Sequence, residues 1–254
     1  MSLLAFALSA AELYQQGSAY FEKGQFAEAA KAFEQARQLA PKDARIAKAL
    51  GVSYAAMTEY ERANEPLDRA CALDPSLEDA CYFFGRNLYA LNRFHPALEA
   101  LQKALRATHA PGRVHLGIAQ AHEGLGEAAE AESAFRKAIS LFESLPQNQR
   151  GRPDFDPRVH YATFLYRQAR LDEALAAAER ITAEAPAFGR GHFEKGRILY
   201  QQGKLEAAAA ALEKAVQYNA GAPAHLLLGQ VYQRLGRTAD AERHLNAGST
   251  VPVP

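Results

Sequence analysis

Residues 44–75 read ARIAKALGVSYAAMTEYERANEPLDRACALDP, and the placing of the small residues in this stretch decides the fold. In its first half Ala47, Leu50, Gly51 and Tyr54 recur at three- and four-residue spacing, which makes one stripe of a helix. Tyr60, Ala63, Leu67 and Ala70 repeat the stripe in the second half. Pro75 ends it, because proline disfavours helical backbone in the residue before it. The same series stands 34 residues earlier as Gly17, Tyr20, Ala29, Phe33, Ala36 and Pro41, with no gap. It stands 34 residues later as Gly85, Leu88, Ala97, Leu101 and Ala104, and after the next step of 34 as Ala119, His122, Ala131, Phe135 and Ala138. After a nine-residue insertion, 146–154, it resumes with Ala162, Leu165, Ala174 and Pro186. Gly196, Leu199, Ala208, Leu212 and Ala215 follow, then Gly229, Tyr232, Ala241 and Leu245, so the chain holds seven copies.

A unit of this length predicts a pair of antiparallel helices whose apolar surface is completed only by its neighbours. Gly or Ala opposite Ala is expected to let two backbones approach closely, with Tyr20 or Phe33 filling the space beside them. Lys23-Gly24-Gln25 and Gln202-Gly203-Lys204 read as turns within copies, and Pro41, Pro75 and Pro186 as stops between them. The fifth copy departs most, with Ala178 for the expected large residue and Ile181 for the expected small one. The fourth has His122 in place of Tyr, and its second helix is expected to run on through Phe142 and Leu145. The expected organisation is a lead-in over 1–9, four copies over 10–145, a loop over 146–154, three copies over 155–248 and a tail over 249–254.

The pattern typified by Gly51-x-x-Tyr54, Ala63, Leu67, Ala70 and Pro75 resembles the tetratricopeptide repeat, and the resemblance covers residues 10–248. It implies an all-α fold, a right-handed superhelical solenoid of about seven antiparallel helix hairpins. It also implies that the first helices line a concave groove for an extended peptide or a partner helix, reached by the second, fifth, ninth and twelfth positions of each copy. Those positions hold Tyr14 and Phe21, then Arg45 and Lys48, then Tyr82, Arg86 and Tyr89, then Arg113 and Gln120. Further along come Tyr166, then Arg190, Phe193, Arg197 and Tyr200, and finally Gln230. Asp79, Glu123 and Asp156 interrupt the basic series. Arginine and aromatic side chains are the types enriched at binding hot spots, and arginine matches carboxylates with two parallel hydrogen bonds. The partner expected is therefore another protein or an extended peptide, acidic or aromatic-bearing. The family's clamp for a terminal carboxylate is not matched: Lys48 and Arg113 fit it, but Val52, Phe83 and Gly117 do not.

Composition narrows the alternatives. Lys+Arg and Asp+Glu are equal at 29 each, so no long-range field draws in nucleic acid or anionic lipid. A single-stranded nucleic-acid binder remains an alternative because the groove pairs aromatics with arginine, but the chain has no basic run. A regulatory or substrate-recruiting arm of an enzyme complex is another. No phosphate loop, nucleophile elbow or zinc-helix motif is present, and no catalytic residue, cofactor or metal is expected. His115, His192 and His225 share the fourth position of their copies, where a packing role is expected. The two cysteines, Cys71 and Cys81, flank one inter-copy turn and are expected as buried free thiols rather than a disulfide. No apolar run is long enough to span a bilayer. Leu3 to Ala11 reads equally as a lead-in or as the end of a signal peptide, leaving cytoplasmic and exported locations both open. The last copy is followed here by Ser-Thr-Val-Pro-Val-Pro with no polar capping helix, so either its flank tolerates water or something docks there, which leaves an oligomer through that flank open.

Overall fold

Each copy turns back on itself at one residue with left-handed backbone: Gly24, Thr58, Asn92, Gly126, Ala169, Gly203 and Gly236, with φ between 56° and 78°. Glycine adopts this geometry freely, whereas Thr58 and Ala169 hold it at a cost of about 1 kcal/mol each. The prolines act as expected. The residue before each of Pro41, Pro75 and Pro186 is a helix cap whose backbone has left the helical region, at φ −132°, −146° and −129°.

The computed structural model describes residues 8–146, 149–150 and 156–250, and among them fourteen helices and no strand. The expected loop therefore lies largely, and the apolar lead-in and the tail partly, outside the described residues. The chain divides into two compact units, 1–138 and 139–254. The first holds α1 (Ala10–Glu22), α2 (Phe26–Leu39), α3 (Ala44–Ala56), α4 (Tyr60–Leu73), α5 (Ala80–Ala90), α6 (Phe94–Ala104), α7 (Pro111–Leu125) and most of α8 (Ala128–Glu143). The second holds the end of α8, then α9 (Pro157–Arg167), α10 (Leu171–Glu184), α11 (Gly189–Gln201), α12 (Leu205–Gln217), α13 (Ala222–Arg234) and α14 (Thr238–Thr250). Within each unit, helices pair as hairpins (α1 with α2, α11 with α12), and each second helix also packs on the next first helix, as α2 on α3 and α12 on α13.

Close approach of helices explains the small residues. Ala29, Ala63, Ala97, Ala131, Ala174 and Ala208 are fully buried, and Ala241 is 1% exposed. Where a hairpin has glycine at this position, the glycine faces the large residue of the second helix, and a Cβ on Gly85 or Gly229 would also lie 3.2 Å from the carbonyl of Ala97 or Ala241. A Cβ on Gly51 would lie 2.5 Å from Leu67 Cγ and 3.1 Å from its backbone nitrogen. Gly17 stands likewise against Phe33, Gly196 against Leu212 and Gly229 against Leu245. The fifth copy keeps the volume by exchange: Ala178 and Ile181 are both fully buried. A Cβ on Gly191, in the following helix, would come 2.9 Å from Ile181 Cγ2. In the first copy the same junction pairs Ala36 with Ile46, small against large in the opposite order.

Tyrosines tie copies together. The Tyr54 hydroxyl donates to Glu34 of the preceding hairpin, and the Arg62 guanidinium lies 4.1 Å from the Tyr54 ring centre. Tyr232 repeats this with Glu213 at 2.5 Å and Arg237 at 4.1 Å. Burial and the Glu213 carboxylate push the Tyr232 phenol up to about 12. The expected free thiols are corrected: Cys71 and Cys81 form a disulfide, because the tight α4–α5 turn brings their Cα atoms to 4.6 Å.

Two measurements check this packing. Ala63→Leu is expected to overpack the α3–α4 seam and cost about 1–3 kcal/mol in denaturant unfolding. Reducing the disulfide, which closes a span of ten residues, is expected to cost about 2–3 kcal/mol, seen as a lower melting point in dithiothreitol and matched by Cys71→Ser/Cys81→Ser.

Candidate functional site

In the first helices of each unit, most charges at the second, fifth, ninth and twelfth positions are already engaged. In the first unit Arg45 forks onto Asp43, the residue capping α3, at 3.1 and 2.7 Å. Lys48 Nζ donates to the Glu78 carbonyl at 3.0 Å. Arg86 donates to the Gln120 amide oxygen at 2.6 Å, with its guanidinium 5.8 Å from the Tyr89 ring centre. Arg113 of α7 reaches back to α5, lies 4.3 Å over Tyr82 and pairs with the Asp79 carboxylate. Its Nε is buried with no protein partner. Asp79 stands at the N-terminal end of α5 with left-handed backbone, at φ 64°, and its side chain makes no capping bond.

The aromatics of the first unit are half packing and half surface. Tyr82 is only 7% exposed and belongs to the core around Leu88 and Leu101. Tyr14 tilts over Phe33 at 5.6 Å, and Phe21 meets Phe26 edge-on at 5.1 Å. Both are half-buried and close the core beneath Leu50 and Leu67. A pocket of about 220 Å³ opens between them, Ala49, Val52 and Phe83.

In the second unit Arg197 of α11 lies 4.3 Å over the Tyr166 ring of α9 and pairs with Glu194, three residues before it on the same helix. Glu194 is 4% exposed and also takes a hydrogen bond from the Thr163 side chain, with Arg190 near enough to act on its charge. Burial nonetheless raises the Glu194 carboxyl above its ordinary value, outweighing the arginines. Arg197 Nε is buried without a protein partner, as in Arg113. Arg234 stacks 5.0 Å over Tyr200. Phe193 and Tyr200 are half-buried against the core of Leu199, Leu228 and Val231, while Arg190 and Gln230 are exposed.

Of the positions expected from sequence, Tyr82, Arg86, Arg113 and Gln120 come together in one unit and Tyr166, Arg190 and Arg197 in the other, while Tyr200 meets Arg234 instead. Glu194 lies outside the expected positions and was missed; in the sequence it is one acid among the basic and polar residues of α11, one turn before an arginine of the row. Asp156 is buried rather than facing the row, and holds Arg158 at 2.7 Å. Of the three histidines, His192 is buried, donates from Nε2 to the Pro186 carbonyl at 2.8 Å and stacks on Tyr218. His225 pairs with His244 at 3.0 Å, and His115 is half-buried, its basicity lowered first by burial and then by Lys137. Among the described residues no three His, Cys, Asp or Glu side chains converge as a metal site, and no helix is long and apolar enough to cross a membrane.

The buried carboxyl has a pH signature. Between the ordinary carboxyl range and its raised folded value, folded Glu194 keeps a proton that the unfolded chain has lost. The stability it contributes is full at low pH and lost as pH rises through the folded value. Glu194→Gln, neutral throughout, is expected to melt progressively higher than the parent as pH rises from about 4 to about 7. Parallel melting curves over that range would contradict the assignment.

Comparison with known proteins gives one consistent result. The tetratricopeptide repeat profile matches residues 14–78, 84–148, 162–225 and 193–248. The TPR repeat-containing protein YvcD of Bacillus subtilis (strain 168) is 25% identical over 235 residues, covering 88% of this chain. The chain spans about half the length of that curated relative, 46%. A tetratricopeptide repeat protein from Parabacteroides merdae ATCC 43184 superimposes with a TM-score of 0.75 at 15% identity, covering 96% of this chain and 93% of that one. YrrB, described as a TPR protein with an unusual peptide-binding site, gives 0.52 at 24% identity over 80% of this chain and 99% of its own. With two stacks of antiparallel helix hairpins, a small-residue seam in all seven copies and the repeat profile matched over most of its length, the chain belongs to the tetratricopeptide repeat family.

Proposed function

We propose that the chain is a non-catalytic scaffold that holds another protein, as an extended peptide, along the first-helix faces of its units. The observation that carries this reading is the repeated stacking of an arginine on a tyrosine of the preceding copy: Arg113 on Tyr82, Arg197 on Tyr166 and Arg234 on Tyr200. Stacking fixes each guanidinium in place, so the entropy of ordering a long side chain is largely spent before a partner arrives. Half-buried Phe193, Tyr200, Tyr89 and Phe21 on the first helices offer apolar area at little further cost. Serial contacts of this kind suit a polypeptide in extended form, whose carboxylates meet the guanidinium edges and whose apolar side chains meet the rings.

The test begins with capture of partners from the source cell by immobilised protein, identified by mass spectrometry and confirmed with purified partner. Arg86→Ala is expected to weaken binding by about 1–3 kcal/mol and flatten its salt dependence, since a charge-assisted contact is removed. Tyr200→Ala is expected to weaken it with little change in salt dependence, since apolar area is lost. Arg197 is best changed together with Glu194, because removing the arginine alone would leave a buried carboxylate unpaired and destabilise the fold. Binding that survives all these changes, or salt-sensitive retention of single-stranded RNA in place of any protein, would overturn the proposal.

A further inference from the structure

We infer that the first unit carries an anchor pocket, in the gap between α1 and α3, for one large apolar side chain of an acidic extended peptide. The inference rests on the scaffold reading above and adds the place and chemistry of one contact.

The gap exists because two positions that face each other across it are small. Ser18 of α1 and Ala49 of α3 both border the pocket of about 220 Å³. One repeat later the matching residues are Val52 and Phe83, and the Phe83 ring packs against the apolar cores on both of its sides. The same fold therefore fills this gap in one copy and leaves it open in the copy before. Nothing in the repeat's own packing requires the opening, since Gly17 already seats α1 on Phe33. The floor is Phe33, 2% exposed, and the walls are the rings of Tyr14, Phe21 and Phe83. Ser18 brings little polarity, because its hydroxyl is bonded to the Tyr14 carbonyl at 3.0 Å. An apolar pocket walled by rings suits a phenylalanine, tyrosine or leucine side chain.

Charge at the rim selects the flanking residues. Two cations lie along the first helices here, Lys48 in the pocket's lining and Arg86 three residues beyond Phe83 on α5, outside the lining and bonded to Gln120 of α7. Lys48 is bonded to a carbonyl and Arg86 to an amide, so neither is neutralised by its partner. Arg45 and Arg113 differ, each lying against a carboxylate. Glu22 is the single acid in the lining. A peptide with acidic residues around the anchor meets these two cations; a basic one meets two like charges.

The experiment uses the full chain and fluorescently labelled octapeptides of Asp and Glu with one central phenylalanine, followed by anisotropy. The comparison peptides replace that phenylalanine with alanine, or the acids with glutamine. The phenylalanine peptide is expected to bind, and the alanine peptide to bind at least about tenfold more weakly. Ala49→Phe, which copies the side chain accommodated at position 83, is expected to keep or raise the melting point and to lose the phenylalanine preference. Lys48→Gln is expected to weaken binding severalfold, flatten its salt dependence and preserve the preference. No binding at millimolar peptide, equal binding of both acidic peptides, or a folded Ala49→Phe protein that still prefers phenylalanine would each overturn the inference. A purified partner whose binding responds to Arg86→Ala or Tyr200→Ala, but not to Ala49→Phe, would overturn the pocket and leave the scaffold standing.

Discussion

The rest of the molecule depends on how closely two helices of a hairpin can approach. At Gly51 even a methyl group would meet Leu67 at 2.5 Å, and at Ala63 the seam leaves no surface exposed. Where the first helix has glycine, backbones held this near seat a large second-helix side chain directly against it. Phe33, Leu67, Leu101 and Leu212 take this role, each 2% exposed or less. Interiors are close-packed, so the volume at the seam is conserved even where residue types change. Ile181 with Gly191, against Ala36 with Ile46, shows the same junction filled from either side. Such exchanges are available only between neighbours, which is why stability in a repeat array is a sum of local terms.

With the seam fixed, the faces of the first helices that do not enter it are left for variation. Position 49 is alanine and its counterpart one copy on is phenylalanine; position 194 is a buried acid where its counterpart in the last copy is Leu227. Neither difference disturbs the small-residue series. The consequence is that the scaffold can change what it touches, copy by copy, without renegotiating its fold.

The fold was legible in the sequence for a simple reason. Each seam residue contacts another at a fixed offset within its own copy, so one period of 34 residues carries the whole rule. Even the turn geometry follows, since glycine or asparagine holds the left-handed position in five of the seven copies. The candidate site was legible only as a row of positions. Whether Arg113 is a surface cation or a stacked and paired one depends on Tyr82 and Asp79 one copy earlier, and on the left-handed backbone at Asp79. The spacing of Cys71 and Cys81 likewise shows that they flank a turn, but their pairing depends on how tightly that turn closes. Tyr82 and Glu194 show the same limit: helical phase puts them near the row, and only packing decides that both are buried.

Charge in the row follows from this packing more than from composition. Counted from the sequence, the first helices carry an arginine-rich face that should attract acids wherever it is exposed. Two of those arginines in the first unit are already balanced by Asp43 and Asp79, and Arg197 in the second by Glu194. A guanidinium against a carboxylate offers a shaped edge but little net field, and the energy of bringing a second carboxylate is correspondingly small. Lys48 and Arg86 keep their charge because their acceptors are neutral. Electrostatic selection within the first unit should therefore concentrate around α3 and α5, while the balanced arginines contribute shape and flat apolar surface through the rings they cover. A neutral chain can in this way present a locally cationic contact without the general attraction for anions that an unpaired arginine row would bring.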